Sequence, residues 1–201
     1  ARYEKFSDVG SALKPKIALF WQPLEWLSLR ASYAGGFRAP GLAQTSATAV
    51  RSNSLYDPVL DDSYGVIDIR KPSENLTPED DVNTSIGLIL QPTEDLTFNI
   101  DFWKLEQENL VGILSGSSHL LYDSLLRSEG SSNPSVIRDV NSQEVIQINN
   151  VYENLDSREI SGIDIGVVYD FETEIGEFEF TANGAYLSKF EQVADSISAK
   201  L

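Results

Sequence analysis

The sequence predicts an all-β fold, an antiparallel up-and-down meander of long strands. Residues 20–33 and 89–102 share a pattern: an apolar-rich strand runs into Gln-Pro, crosses a few polar residues and leaves on a strand with alternating apolar side chains. This pattern is typical of a tight β-hairpin. Long polar stretches at 40–78 and 110–157 lie between the hairpins. Short turns therefore alternate with long loops along the chain.

Six segments have the period-two alternation of β-strands. In the second segment, Leu27, Leu29 and Tyr33 fall on one face, and Arg30 falls on the other. Asp101 lies in the middle of the fourth segment, where a charge needs water or a partner. We expect Arg30 and Arg38 to pair with acids of neighbouring strands. The segments are 14–22, 25–38, 81–91, 95–108, 158–171 and 176–190, and the last two form a third hairpin.

These strands favour the wall of a membrane-spanning barrel, with apolar side chains towards lipid and polar ones towards a lumen. All six exceed the usual strand length of ~5–6 residues. Aromatic residues cluster near strand ends, as interfacial girdles do; they include Phe20, Trp21, Trp26, Phe37, Trp103, Tyr169, Phe171, Tyr186 and Phe190. The alternative is a soluble β-sandwich binding module, for example a carbohydrate-binding one, whose apolar face packs on a second sheet.

The second long loop contains local signals of structure. The segment 117–127 has a serine N-cap candidate, apolar Leu121 and Leu125 four residues apart, and Gly130 as a stop, which together predict a short helix. The segments 136–140 and 144–148 are predicted to pair as a hairpin.

Composition excludes several classes of protein. The chain of 201 residues has a formal net charge of −16, which argues against nucleic-acid binding. It has no cysteine, so disulfides and thiol chemistry are excluded. No apolar run approaches the ~18 residues of a transmembrane helix. Methionine is absent and both ends are patterned, from which we expect a segment of a longer protein.

No catalytic residue, metal site or cofactor is predicted. His119 is the single histidine of the sequence, so a histidine metal cluster is impossible. The acids of 57–62 lack the spacing of a calcium loop. An all-β hydrolase using Glu177 and Glu179 is a weak hypothesis, because both carboxylates share a face without a matched partner.

The second strand and the segments after it resemble the barrel of TonB-dependent outer-membrane receptors. A strand of L-x-L-R-x-S-Y type, Leu27–Tyr33, runs into Gly36, Phe37, Arg38, Ala39 and Pro40, which matches the G-F-R-A-P motif of that family. Further similar segments occur in family order: Asn75–Glu79, Asp101–Leu105 and, more loosely, Asn154–Asp164.

The resemblance implies one segment, 1–201, with six or seven of about 22 barrel strands, and with the plug domain and TonB box not included. It implies a receptor in the outer membrane of a Gram-negative bacterium. Such a receptor binds a scarce solute, which is an iron chelate, a cobalamin or an oligosaccharide. It imports that solute with energy from the TonB system, which acts through parts of the protein absent here. The further partner is outer-membrane lipid, and the short turns are expected in the periplasm.

Ligand binding is expected on the long loops, because loops carry function more often than the scaffold does. Their candidates combine aromatic faces with hydrogen-bonding groups; the alternative is that they are solvated tips or packing residues. The candidates are Arg51, Tyr56, Asp57, Asp61, Asp62 and Tyr64 in the first loop and His119, Tyr122 and Arg127 in the second.

Overall fold

A computed structural model describes residues 2–5 and 11–193. The described chain forms two compact units: the wall unit (within 2–38, 80–108 and 157–192) and the loop unit (39–79 and 109–156). In chain order the elements are β1 (Arg2–Lys5), β2 (Ser11–Lys14), β3 (Lys16–Leu24), β4 (Leu27–Arg38), α1 (Leu42–Thr45), β5 (Ala49–Asp57), β6 (Asp62–Lys71), β7 (Glu79–Thr93), β8 (Leu96–Gly112), α2 (Gly116–Ser128), β9 (Val136–Arg138), β10 (Val145–Val151), β11 (Glu153–Thr173) and β12 (Gly176–Val193).

The wall unit contains a six-stranded sheet with the order β12-β11-β8-β7-β4-β3. Strands consecutive along this part of the chain are neighbours, so the sheet is the predicted up-and-down meander. All six predicted strands are present, and several are longer than predicted: β8 has 17 residues and β11 has 21. β1 and β2 pair antiparallel as a separate hairpin.

The repeated Gln-Pro pattern forms the same irregularity in both hairpins. The register shifts between Trp21 and Leu24 in the first copy and between Leu90 and Thr93 in the second. A proline cannot donate to the ladder, and within sheets it is tolerated at such bulges. The glutamine closes the turn each time: Gln22 Nε2 donates to the Glu25 carbonyl at 3.1 Å, and the equivalent contact of Gln91 is 3.5 Å.

One face of the wall sheet exposes large apolar side chains. Ile17 is 67% exposed, Ile86 59% and Phe180 56%. In a β-sandwich these side chains would be buried against a second sheet. The soluble sandwich alternative is therefore not supported, and an apolar surface of this kind suits lipid.

The loop unit contains a four-stranded sheet with the order β5-β6-β10-β9, in which β10 runs parallel to β6. Its sheet and α2 share a core in which Leu120 and Ile148 are fully buried. The predicted helix is confirmed, and its N-cap is Ser115, which precedes the predicted segment 117–127. Gly130 follows the helix with φ 80°, as a stop residue does. The predicted pairing of β9 with β10 is also confirmed.

The long polar stretch 40–78 contains two strands that were not predicted, because β5 and β6 form an antiparallel hairpin there. The reason is that charged side chains occupy positions facing the core: Asp57 and Asp68 are buried. A sequence interpretation that expects every charged side chain to face water does not identify strands with buried charges. Among the described helices, none has the length and apolar character needed to cross a membrane.

Candidate functional site

The polar face of the wall sheet carries an ion pair that spans a strand. Arg30 on β4 donates from Nε to Asp101 Oδ1 on β8 at 2.8 Å, and a second contact joins Nη2 to Oδ2. In the sheet β7 lies between these strands, with Gly87 opposite Asp101. A Cβ at Gly87 would lie 2.1 Å from Asp101 Oδ1 and 2.6 Å from Arg30 Nε. The missing side chain therefore makes room for the pair. Arg30 pairs with an acid as predicted, but the acid lies one strand beyond the neighbouring strand.

Around this pair the polar face forms an open groove of about 570 Å³. Its polar lining includes Asn99, Asp164 and Asn183. The hydroxyls of Ser32 and Ser85 hydrogen-bond to each other at 2.8 Å on the same face. The groove can accept hydrogen-bonding groups along the sheet.

The family-motif residues lie at the end of β4. Phe37 is buried, and Gly36 stands so close to Asp81 that a Cβ would lie 2.3 Å from a carboxylate oxygen. The motif therefore combines a tight backbone approach with a packed aromatic ring. Arg38 has an exposed side chain, and its pairing with an acid stays a prediction.

An ionic network centred on Arg138 is the polar core of the loop unit. Its guanidinium contacts Asp57 through Nη1 at 2.5 Å and Nη2 at 2.8 Å, and donates from Nε to Asp123 at 3.0 Å. Arg127, one turn along α2, donates to the same Asp123 oxygen at 2.8 Å. Tyr64 adds a 2.5 Å hydrogen bond to Asp57 and accepts one from the Val145 amide. Both carboxylates are inaccessible to solvent.

The network shifts the pKa values of Asp57, Arg138 and Tyr64. Burial alone would raise the pKa of Asp57, but hydrogen bonds from Arg138 and Tyr64 outweigh it and lower that pKa. Burial opposes the charge of Arg138 as well, and the hydrogen bonds to Asp57 and Asp123 raise its pKa. Burial and the Asp57 contact raise the pKa of Tyr64. The Asp57 carboxylate, whose pKa is lowered, therefore stays ionised at neutral pH.

His119 lies in a second buried polar cluster. Its Nε2 is 2.7 Å from Asn150 Oδ1, and its Nδ1 is 3.2 Å from Asn133 Nδ2. Asn150 in turn donates to Asp68 at 2.8 Å, and Arg70 pairs with that carboxylate at 2.9 Å. This chain of contacts ties α2 to β10 and β6.

The structure divides the predicted ligand residues into two sets. Asp57, Tyr64, His119 and Arg127 are members of the two buried polar networks of the loop unit. The others are accessible: Arg51, Tyr56, Asp61 and Asp62 are exposed and Tyr122 is half-buried.

Two of the exposed candidates contact each other. Tyr56 donates its hydroxyl to Asp61 at 2.7 Å, which raises the pKa of that tyrosine. Sequence reasoning missed Arg138, Asp123, Asn133 and Asn150. The signal available for Asp123 was its spacing of four residues from Arg127 on a predicted helix.

Comparison with known proteins identifies the fold. The ferric enterobactin receptor of Pseudomonas aeruginosa, as a mutant in complex with enterobactin, superposes with a TM-score of 0.66 at 15% identity, over 93% of this chain and 24% of the receptor. The siderophore receptor PirA of Acinetobacter baumannii gives 0.61 at 16% identity, with the same coverage. The hemophore receptor HasR of Serratia marcescens, with its hemophore and heme, gives 0.52 at 15% identity, over 87% and 22%.

The chain spans about a quarter of the length of these solved receptors. A sequence comparison with curated proteins finds no match. The family model described as TonB dependent receptor-like, beta-barrel, matches residues 1–199. The meander of long strands and the family motif agree with that match, and the chain belongs to the TonB-dependent receptor β-barrel family.

Proposed function

We propose that this chain is a barrel segment of a receptor in the outer membrane of a Gram-negative bacterium, which binds a scarce solute and imports it. The observation that carries the proposal is the family match over nearly the whole chain. The exposed apolar face of the wall sheet supports it, because a membrane-spanning barrel needs an outward apolar band.

In this proposal the wall sheet separates lipid from a water-filled lumen. Ile17, Ile86 and Phe180 contact lipid, and the groove beside Arg30 and Asp101 faces the lumen. An ion pair is tolerated there, because a lumen supplies water or polar partners while a lipid face does not. The Gln-Pro turns lie in the periplasm, and the loop unit lies outside the cell.

The loop unit contributes to solute capture. Its buried networks hold the strands and α2 in place, and its accessible residues make the contacts: Arg51, Tyr56, Asp61, Asp62 and half-buried Tyr122. Such a division suits a binding surface, since contact residues need a rigid support to keep their geometry.

The solute is an iron chelate, a cobalamin or an oligosaccharide. Complexes of the similar receptors with enterobactin and with heme support a metal chelate. Import takes its energy from the TonB system through a plug domain and TonB box that lie outside this 1–201 segment.

The test uses the bacterium that makes the full receptor. Deleting the gene is expected to abolish uptake of one radiolabelled solute among ferric chelates, cobalamin and oligosaccharides, and the wild-type gene is expected to restore it. A protonophore, which collapses the proton gradient, should also abolish this uptake. Unchanged uptake of every solute after deletion, or recovery of the receptor in the soluble fraction, contradicts the proposal.

A further inference from the structure

His119 is held inside the loop unit by two asparagine side chains. Its imidazole lies between Asn150 of β10 and Asn133, which follows α2. The three residues, in that order, are 6%, 2% and 5% exposed. Histidine is the side chain whose unperturbed charge change falls between pH 5 and 8. A buried histidine therefore makes its surroundings sensitive to acid if its contacts suit only one protonation state.

The contacts of Asn133 determine which of its side-chain atoms faces the imidazole. Its Oδ1 accepts a hydrogen bond from the Ser135 amide at 3.0 Å. Its Nδ2 lies 3.2 Å from the His119 carbonyl oxygen, which can only accept, so Nδ2 is the donor of this side chain. Nδ2 also lies 3.2 Å from His119 Nδ1. This ring nitrogen therefore accepts a hydrogen bond and carries no proton.

The contacts of Asn150 determine the state of the other ring nitrogen. Asn150 Nδ2 donates to Asp68 Oδ1 at 2.8 Å, which leaves Asn150 Oδ1 facing His119 Nε2 at 2.7 Å. Because an amide oxygen only accepts, Nε2 carries the proton. The imidazole is therefore neutral. A second proton would have to enter at Nδ1, against the NH2 group of Asn133.

The charged side chains that α2, β5, β6 and β9 bury around this cluster form ion pairs with one another. Both oxygens of Asp68 on β6, Asp123 on α2 and Asp57 on β5 already accept hydrogen bonds. Tyr64 is one of the donors, and β10 carries no titratable side chain. A protonated imidazole would compete with these donors and would add positive charge beside the arginines. The arginine partners are Arg70, Arg127 and Arg138.

We propose that His119 is a pH-sensitive switch, which holds the segment 129–135 against α2 while it is neutral and releases that segment when it is protonated. A proton on Nδ1 removes an acceptor of Asn133 and opposes its donor. The Asn133 amide donates to Asp123 Oδ1 at 2.9 Å, and its carbonyl accepts from Val136, the first residue of β9. Moving Asn133 therefore disconnects the start of β9 from α2. This inference goes beyond the proposed function, and it holds whether or not the loop unit binds a solute.

The loop unit should lose stability as the pH falls through the ordinary range of histidine. A released histidine takes up a proton below about pH 6.5, whereas the packed His119 must lose its contact with Asn133 to do so. The stabilisation is therefore complete above that pH and declines below it. Buried carboxylates respond near pH ~4 and below, which separates the two acid effects.

The experiment measures hydrogen exchange of residues 129–136 in the purified full-length receptor from about pH 8 to pH 5, with rates corrected for intrinsic exchange. Exchange in the wild-type protein is expected to increase about tenfold or more over this range. His119→Gln cannot take up a proton, so its exchange should change less than about twofold. Leu121→Gln is the control, because Leu121 is an exposed neighbour on α2, and it should keep the wild-type profile.

Asn133→Asp gives a second test if His119→Gln does not fold. Its carboxylate can accept from a protonated Nδ1, so acid should no longer increase the exchange of this segment. A wild-type profile that stays flat between about pH 8 and pH 5 contradicts the inference. The same holds for an increase that persists unchanged in His119→Gln or Asn133→Asp. If neither variant folds, the wild-type profile decides, and an increase confined to pH values below ~4.5 overturns the inference.

Discussion

The wall unit and the loop unit place their apolar and charged side chains in opposite ways. The wall sheet exposes an apolar face and holds the Arg30–Asp101 pair on its polar side. The loop unit buries the charged side chains of Asp57, Asp123 and Arg138 beside its apolar core. The difference shows that one sequence uses two kinds of stabilisation. The wall needs an apolar environment around it, and the loop unit carries its own core.

The distribution of buried apolar residues agrees with this contrast. Among the described residues, eight hydrophobic side chains are buried, and all but Phe37 lie in the loop unit. The core of the loop unit therefore consists of its own side chains packed against one another, as in a small soluble domain. The wall unit has little such core, so its apolar face must be covered by something else, which in the proposed function is lipid.

The largest expected effect is in the ionic network of the loop unit. Arg138→Met leaves the buried carboxylates of Asp57 and Asp123 without their shared partner, and it should destabilise the loop unit by about 3–5 kcal/mol. Arg127→Met is the control. Because Arg127 is partly exposed, this change should lower the stability of the loop unit by about 0.3–1 kcal/mol. Hydrogen exchange of residues 116–138 in the full receptor measures both changes. Equal protection in the two variants would contradict the assignment of Arg138 as the centre of the network.

A charge on the apolar face of the wall should have the next largest effect. Ile86→Lys is expected to lower stability by about 2–4 kcal/mol, because in the proposed function the lysine would face lipid. Ile89→Lys is the matched control on the same strand, with its side chain on the opposite, polar face. Urea unfolding in lipid vesicles measures both, and an equal loss of stability would show that the two faces are not in different environments.

The ion pair across β7 gives a smaller effect. Gly87→Ala puts a methyl group where Asp101 and Arg30 meet. Displacement of this ion pair should lower the free energy of unfolding by about 1–3 kcal/mol. Gly184→Ala is the control, because a Cβ at Gly184 meets no atom within 4 Å. Urea unfolding compares the two alanine variants. A Gly87→Ala variant as stable as Gly184→Ala would mean that the pair does not depend on the missing side chain.

The smallest expected effect is the response of the loop unit to acid. The folded pKa of Asp57 is below its unfolded value of ~3.9, so its contribution to stability is complete above that value and is lost as the pH falls below it. Hydrogen exchange of residues 116–138, corrected for intrinsic rates, should therefore accelerate below about pH 4. Asp57→Asn should weaken this acid dependence. The same pH profile in both proteins would remove Asp57 as its cause.

The wall could be predicted from the sequence because its signals are local. The period-two alternation located all six strands, and the isolated charge of Asp101 correctly indicated a partner. The signals for the turns were also local, because the glutamine side chain of each Gln-Pro pair donates to a carbonyl three residues further along the chain. The role of Gly87 required the register, which the sequence does not contain.

The loop unit was harder to predict because its contacts are distant in sequence. Asp57 pairs with Arg138, 81 residues further along, and the parallel pairing of β6 with β10 joins equally distant segments. Buried charges are also exceptions to the rule that polar residues face water. For this reason β5 and β6 were not predicted. Asp57 and His119 were predicted to contact ligand, and nothing near them in sequence indicated their internal partners.

The central claim is that the odd and even positions of β7 face different environments. The chain has no cysteine, so single cysteines at Thr84, Ser85, Ile86, Leu88 and Ile89 can each carry a spin label in a cysteine-free receptor in vesicles. Labels at 84, 86 and 88 are predicted to collide mainly with oxygen, which dissolves in lipid. Labels at 85 and 89 should collide less with oxygen. An accessibility to oxygen that does not alternate along β7, or that peaks at 85 and 89, would contradict the account.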